Sequence, residues 1–168
     1  MALECHLPNR DPLAAALRLP ASTSSERAVA RRVDELVELL GLGVYRDRPT
    51  GELSTGTRRI VELGCLLAHN PAVVLLDEPS AGVAQKETEA LGPMLRRVQS
   101  QTGCSLVIIE HDMSLLSSTC DALVALEQGS VIAWGAPDDV LADHRVVASY
   151  LGTDNEVVHR SGQRRGWA

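Results

Sequence analysis

Ala72-Val73-Val74-Leu75-Leu76-Asp77-Glu78-Pro79 is the stretch whose reading decides the fold. It is apolar at every position from Ala72 to Leu76 and is bounded by Pro71 and Pro79. A short apolar run without alternation suits a strand buried on both faces of a parallel sheet. Downstream, helical spacing runs from about Lys86 to Gln101, with a disturbance expected at Gly92-Pro93. After Gly103 comes a second apolar run, Ser105-Leu106-Val107-Ile108-Ile109. Strand, crossover helix and strand make a βαβ unit, so the class is α/β with a parallel sheet.

Further along, a short helix is expected near Met113 to Ser118, and Ala122-Leu123-Val124-Ala125-Leu126 reads as a third strand. Gln128-Gly129 turns into Ser130-Val131-Ile132-Ala133-Trp134, the second arm of a hairpin. Pro137 opens a short helix, Val146 to Leu151 belongs to another, and the chain becomes polar from Gly152. Upstream, Val29, Val33, Leu36, Val37 and Leu40 recur at helical spacing from about Glu26. Ser22-Thr23-Ser24-Ser25 is expected as a loop capping that helix, and Gly41 and Gly43 stop it. Leu13-Ala14-Ala15-Ala16-Leu17 reads as a helical turn or two ended by Pro20. A second helix follows Ser54 and ends at Asn70-Pro71, with Ile60, Val61, Leu63, Leu66 and Leu67 on its apolar side.

Composition narrows the function classes. The 168 residues are 45% hydrophobic and 23% charged, an ordinary globular balance. A formal net charge of -6 argues against a broad nucleic-acid surface, but a single nucleotide needs only a local set of donors. Cys5, Cys65, Cys104 and Cys120 form no C-x-x-C pair and read as small residues in a reducing compartment. No apolar run reaches the roughly 18 residues of a membrane helix. Met1 to His6 has neither the basic start nor the long apolar run of a signal peptide, so a cytosolic location is expected.

In open α/β sheets, ligands bind beyond the carboxyl ends of the strands. One strand here ends in Asp77-Glu78-Pro79 and the other in Glu110-His111-Asp112. If the strands are parallel, both sets lie on one edge. Adjacent strand residues point to opposite sides, so Asp77 and Glu78 divide the work. Asp77 is placed to hold a Mg²⁺-bound water, and Glu78 to accept a proton from an attacking water. Alone, His111 reads as a satisfied histidine at a strand end. Opposite an acid pair it can donate to a terminal phosphate. Ser54 is a good N-cap and Gly56 permits close backbone approach, which makes the start of that helix attractive to an anion. Most serine-capped helices, however, bind nothing.

Taken in order, these residues resemble a known family. Leu53-Ser54-Thr55-Gly56-Thr57 resembles the L-S-G-G-Q signature of ABC ATPases, and Val73 to Glu78 resembles the Walker B strand with its catalytic glutamate. Ser80-Ala81-Gly82-Val83 stands where that family has its D-loop, and His111 matches the switch histidine. Arg58-Arg59, Glu110-His111-Asp112-Met113, Gly135-Ala136-Pro137-Asp138-Asp139-Val140 and Val147-Ala148-Ser149-Tyr150-Leu151-Gly152 are most similar to ATPases of branched-chain amino-acid importers.

The resemblance implies a P-loop NTPase fold, of which this would be the C-terminal portion. It would comprise a helical subdomain over residues 1–70, a RecA-like α/β part over 71–152 and a flexible tail over 153–168. It implies ATP and Mg²⁺ as cofactors. Asp77 would serve the metal, Glu78 and His111 would be catalytic, and Ser54, Thr55, Gly56 and Thr57 would touch the ATP of a second ATPase subunit. The implied partners are that second subunit and membrane permease subunits, with no nucleic acid. The implied location is peripheral, at the inner face of the cell membrane.

The sequence departs from the family where triphosphate would be gripped. It contains no G-x-x-x-x-G-K-[S/T], because its only lysine is Lys86, between Gln85 and Glu87. No glutamine precedes Gln85 to form a Q-loop, Thr55 and Thr57 replace Gly and Gln of the signature, and Val83 stands near the D-loop aspartate. The expectation is an N-terminally truncated subunit, inactive and poorly soluble by itself. The alternative is a non-catalytic partner that lends its signature to a complete subunit.

Overall fold

The structure, a computed structural model, describes Met1 and residues 20–150 of the chain. The elements are α1 (Pro20–Leu39), two single 3-10 turns (Gly43–Tyr45 and Thr50–Glu52), α2 (Thr55–Ala68), β1 (Val73–Asp77), α3 (Gln85–Thr102), β2 (Ser105–Ile109), α4 (Met113–Thr119), β3 (Leu123–Glu127), β4 (Ser130–Gly135) and α5 (Pro137–Ala142). Residues 144–150 are also helical. The expected helical turns at Leu13 to Leu17 and the polar tail from Gly152 lie outside the described residues. The chain forms two compact units, which meet in sequence between His111 and Asp112.

In the first unit β1 and β2 pair in parallel, from Val73 opposite Ser105 to Asp77 opposite Ile109, with α3 as the connection. The βαβ reading therefore stands. α1 starts at Pro20, so Ser22 to Ser25 lie within the helix rather than in a loop ahead of it. Proline is tolerated in a first turn, where its missing N–H has no intrahelical partner. α3 continues through Pro93 instead of breaking there. The lost hydrogen bond is local, and Leu95 and Val98, both fully buried, anchor the turns that follow.

The core of this unit gathers Leu36 and Leu39 from the end of α1, Leu40 just past it, Leu63 and Leu67 from α2, Val74 from β1, and Leu95 and Val98 from α3. Leu76, Leu106 and Ile108 pack against it from the inner face of the sheet. The outer face differs from the sequence expectation. Val73, Leu75, Val107 and Ile109 are 53%, 72%, 50% and 63% exposed, so among the described residues helices cover one face of this sheet, not both. The apolar run was read correctly as a strand, but its outer side chains have no cover in this unit.

Gly103 ends α3 in the left-handed region, with φ of 70°, and its N–H bonds the Gln99 carbonyl at 2.8 Å. A Cβ there would meet nothing within 4 Å, so only the backbone opposes substitution. Gly103→Ala is expected to cost about 1–2 kcal/mol, read as a lower urea midpoint with unchanged slope.

The second unit is a hairpin with helices. β3 and β4 pair antiparallel through Gln128 and Gly129, at φ of 48° and 80°, with an irregularity between Ala125 and Leu126. Two successive positive φ values match the twist a two-residue hairpin needs. The expected third strand and its hairpin partner are thus present, as a two-stranded sheet. The strand meets this antiparallel partner, two residues away, with little loop-closure cost. Leu115, Leu116, Leu123 and Val140 are buried where α4, α5 and the hairpin meet.

Candidate functional site

Asp77 is the last residue of β1, on the same exposed outer face as Val73 and Leu75. The next residue is not a further strand position. Glu78 has φ of 43°, in the left-handed region that costs a non-glycine residue about 1–3 kcal/mol. Three hydrogen bonds fix it there. Its N–H donates to the Ile109 carbonyl at 2.9 Å, and its carbonyl accepts from the Ala81 N–H at 3.0 Å and from Arg59 Nη1 at 2.7 Å. The two carboxylates are therefore separated by a backbone turn rather than by strand alternation, which corrects the sequence reading.

The end of β2 brings its own groups to the same edge. His111 Nδ1 lies 3.8 Å from Glu78 Oε1, with both side chains largely exposed. Glu110 comes just before it, and its carboxylate is fully buried. Glu110 Oε1 accepts from the Ser80 N–H at 2.8 Å, and Oε2 accepts from the His111 N–H at 3.1 Å. Oε2 also lies 3.7 Å from His111 Nδ1. The parallel pairing thus unites Asp77, Glu78 and His111 at one strand-end edge, as the sequence implied.

Ser54 to Thr57 form the start of α2. Ser54 is the N-cap, and its Oγ accepts from the Thr57 N–H at 3.1 Å. Ser54 Oγ also lies 2.9 Å from Thr57 Oγ1 and 3.1 Å from Glu87 Oε1. With one hydrogen, the Ser54 hydroxyl donates to the carboxylate, so the Thr57 hydroxyl donates to Ser54. Gly56 is buried here rather than open. A Cβ on it would come within 2.5 Å of Glu87 Oε2 and 3.2 Å of Val83 Cγ1. A carboxylate at a helix N-terminus is favourable, and Glu87 supplies one from the first turn of α3. Thr55 is exposed at the outer rim of this tip. Ser54→Ala is expected to cost about 1 kcal/mol through loss of the cap, read from urea unfolding.

Arg59 joins the two parts. It sits one turn into α2, and its guanidinium holds the carbonyl of Glu78. The start of α2 and the acid at the end of β1 are therefore braced against each other within the first unit. A cavity of about 730 Å³ lies beside them, lined by Gly56, Arg59, Asp77, Val83 and Glu87 and by leucines of α2, β1 and α3. Glu78 and His111 are not among its walls.

The chain is similar to known proteins. A family model for ABC transporters matches residues 9–81. The high-affinity branched-chain amino acid transport ATP-binding protein BraF of Pseudomonas aeruginosa is 32% identical over 144 residues, covering 86% of this chain and 56% of BraF. The zinc import ATP-binding protein ZnuC of Halorhodospira halophila is 35% identical over 136 residues, covering 79% of this chain and 52% of that protein. The crystal structure of MJ1267, an ATP-binding cassette of an ABC transporter, in its ADP conformation superimposes with a TM-score of 0.68 at 31% identity, covering 86% of this chain and 58% of that one. The fold is that of an ABC transporter ATPase cassette. The chain spans about half the length of the curated relatives it matches.

The ABC cassette fold frames what the sequence missed. Glu110 was read as one of the polar groups ending β2 and given no role of its own, Arg59 was quoted only as a letter of a family resemblance, and Glu87 only as a neighbour of Lys86. Strand alternation carried a signal for Glu110, since it continues the inward series Leu106, Ile108. An acid at an inward position calls for partners. Arg59 and Glu87 meet their partners across 19 and 33 residues, beyond the reach of local pattern. Among the described residues no group of three or more His, Cys, Asp or Glu side chains could hold a metal. The exposed carboxylate of Asp77 at the strand end is compatible with Mg²⁺, which typically takes one or two carboxylates together with waters and phosphate oxygens.

Proposed function

We propose that this chain is part of the ATP-binding subunit of an ABC importer and carries the hydrolytic edge of the nucleotide site. The observation that carries this reading is the approach of Glu78 to His111 at the shared end of two parallel strands, beside Asp77. In this role Glu78 accepts a proton from the attacking water, held toward it by a backbone that three hydrogen bonds fix. His111 faces the terminal phosphate. Asp77 orients a water of the Mg²⁺ ion, which when bound neutralises charge on the phosphates. In the assembled site the Glu87 carboxylate gives way to the ATP of a second subunit, which then meets Ser54 and Gly56 with Thr55 and Thr57 flanking them, and the helices before residue 70 transmit closure to a permease.

The 168 residues contain no G-x-x-x-x-G-K-[S/T], so in this reading the grip on triphosphate comes from outside them. Arginine does not replace the P-loop lysine, because its flat fork cannot tuck among phosphates as a compact ammonium does. Hydrolysis is therefore a property of an assembly. Branched-chain amino acids are the proposed cargo, on the motifs shared with that importer group and on the similarity to BraF. Among the described residues no helix is long and apolar enough to cross a membrane, and attachment to the inner face of the membrane is proposed to run through the permease.

The test is co-expression with a complete ABC ATPase subunit and the permease subunits of a branched-chain amino-acid importer. Association that strengthens with Mg-ATP and is lost on Gly56→Asp is expected. The same yield with and without nucleotide, in wild type and variant alike, contradicts the reading.

A further inference from the structure

We propose that Glu110 is a positioning residue, which fixes both where His111 stands and which of its ring nitrogens carries the proton. The inference rests on reading Glu78 and His111 as the hydrolytic pair.

The Glu110 side chain is fully buried, and each of its oxygens has a separate task. Oε1 takes the Ser80 N–H, two residues beyond Glu78 on the turn that follows β1. Oε2 takes the His111 N–H at the end of β2. One carboxylate thus ties the turn that carries the acid to the strand end that carries the imidazole. Without it, two N–H groups would lose their acceptor and the Glu78–His111 separation would rest on the strand pairing and the Arg59 contact.

The same carboxylate sets the chemistry of the ring. His111 Nδ1 faces Glu110 Oε2 at 3.7 Å and Glu78 Oε1 at 3.8 Å. Both distances exceed a hydrogen bond, yet two carboxylate oxygens on one side favour a proton on the nitrogen they face. Such contacts are often long before substrate arrives. The neutral ring is therefore the Nδ1–H form, with Nε2 turned away from the acids. In that form Nε2 accepts, and it donates to a phosphate oxygen only as imidazolium. Glu110 thus orients His111, and a buried acid supports the exposed edge.

The test is ¹⁵N NMR of the His111 ring in the full-length chain, without nucleotide, at a pH where the imidazole is neutral. The wild type is expected to be mainly Nδ1–H. In Glu110→Gln the single amide oxygen keeps the shorter bond, from the Ser80 N–H, the His111 N–H loses its acceptor, and the amide N–H₂ now faces Nδ1 and favours a lone pair there. The Nε2–H form is expected to become the majority, with Ser80 amide exchange changed less than about threefold. An Nε2–H majority in the wild type, or an Nδ1–H majority that persists in Glu110→Gln, overturns the proposal. The wild-type measurement decides the matter even if the variant does not fold. Because no nucleotide is present, failure here is distinct from failure of the proposed ATPase role.

Discussion

Glu78→Gln is expected to lower ATP turnover by the assembled complex about 10²–10⁴-fold, the range for loss of a general base, while nucleotide binding is retained. Glutamine keeps the shape of the side chain and cannot take the proton. The backbone at Glu78 should survive the change, because its left-handed turn is held through main-chain atoms by Ile109, Ala81 and Arg59. The measurement is single-turnover hydrolysis with binding followed separately. A fall in both together would mean that Glu78 shapes the site rather than activates water. Turnover within threefold of wild type would remove Glu78 from the mechanism.

Leu36→Ala is expected to destabilise the first unit by about 2–5 kcal/mol, from lost burial plus the cavity left behind. Leu36 has no exposed surface and lies where α1, α2 and α3 converge on β1. A loss of that size is a large share of the roughly 5–15 kcal/mol that holds a domain together. The companion change is Leu75→Ala, on the outer face of the same sheet, where the side chain is 72% exposed. It should shift stability by no more than about 0.5 kcal/mol and should reduce self-association, since it trims an exposed apolar surface. Chemical denaturation and light scattering read the two effects. Equal destabilisation by both changes would mean that the outer face is covered in solution.

The parallel β1–β2 pair and its crossover helix were legible because an apolar run between prolines and a second run after Gly103 admit few alternatives. The edge carrying Asp77, Glu78 and His111 followed, since parallel strands present their ends together. Three features were not legible. Burial of the outer face depends on what covers it, and the run Val73 to Leu76 reads the same covered or bare. The left-handed turn at Glu78 is made by contacts from Arg59, Ala81 and Ile109, so no local preference announces it. The seat of Glu87 at the start of α2 joins residues 33 apart, and Gly56 gave no hint that its open side is filled.

The central claim is that these residues hold a water-activating edge and no triphosphate cradle of their own. Isothermal titration of the purified 168-residue chain with Mg-ATP tests it most directly. The account predicts no saturable heat at micromolar nucleotide. A single-site isotherm with a micromolar Kd would show that the chain grips triphosphate unaided, and would contradict it.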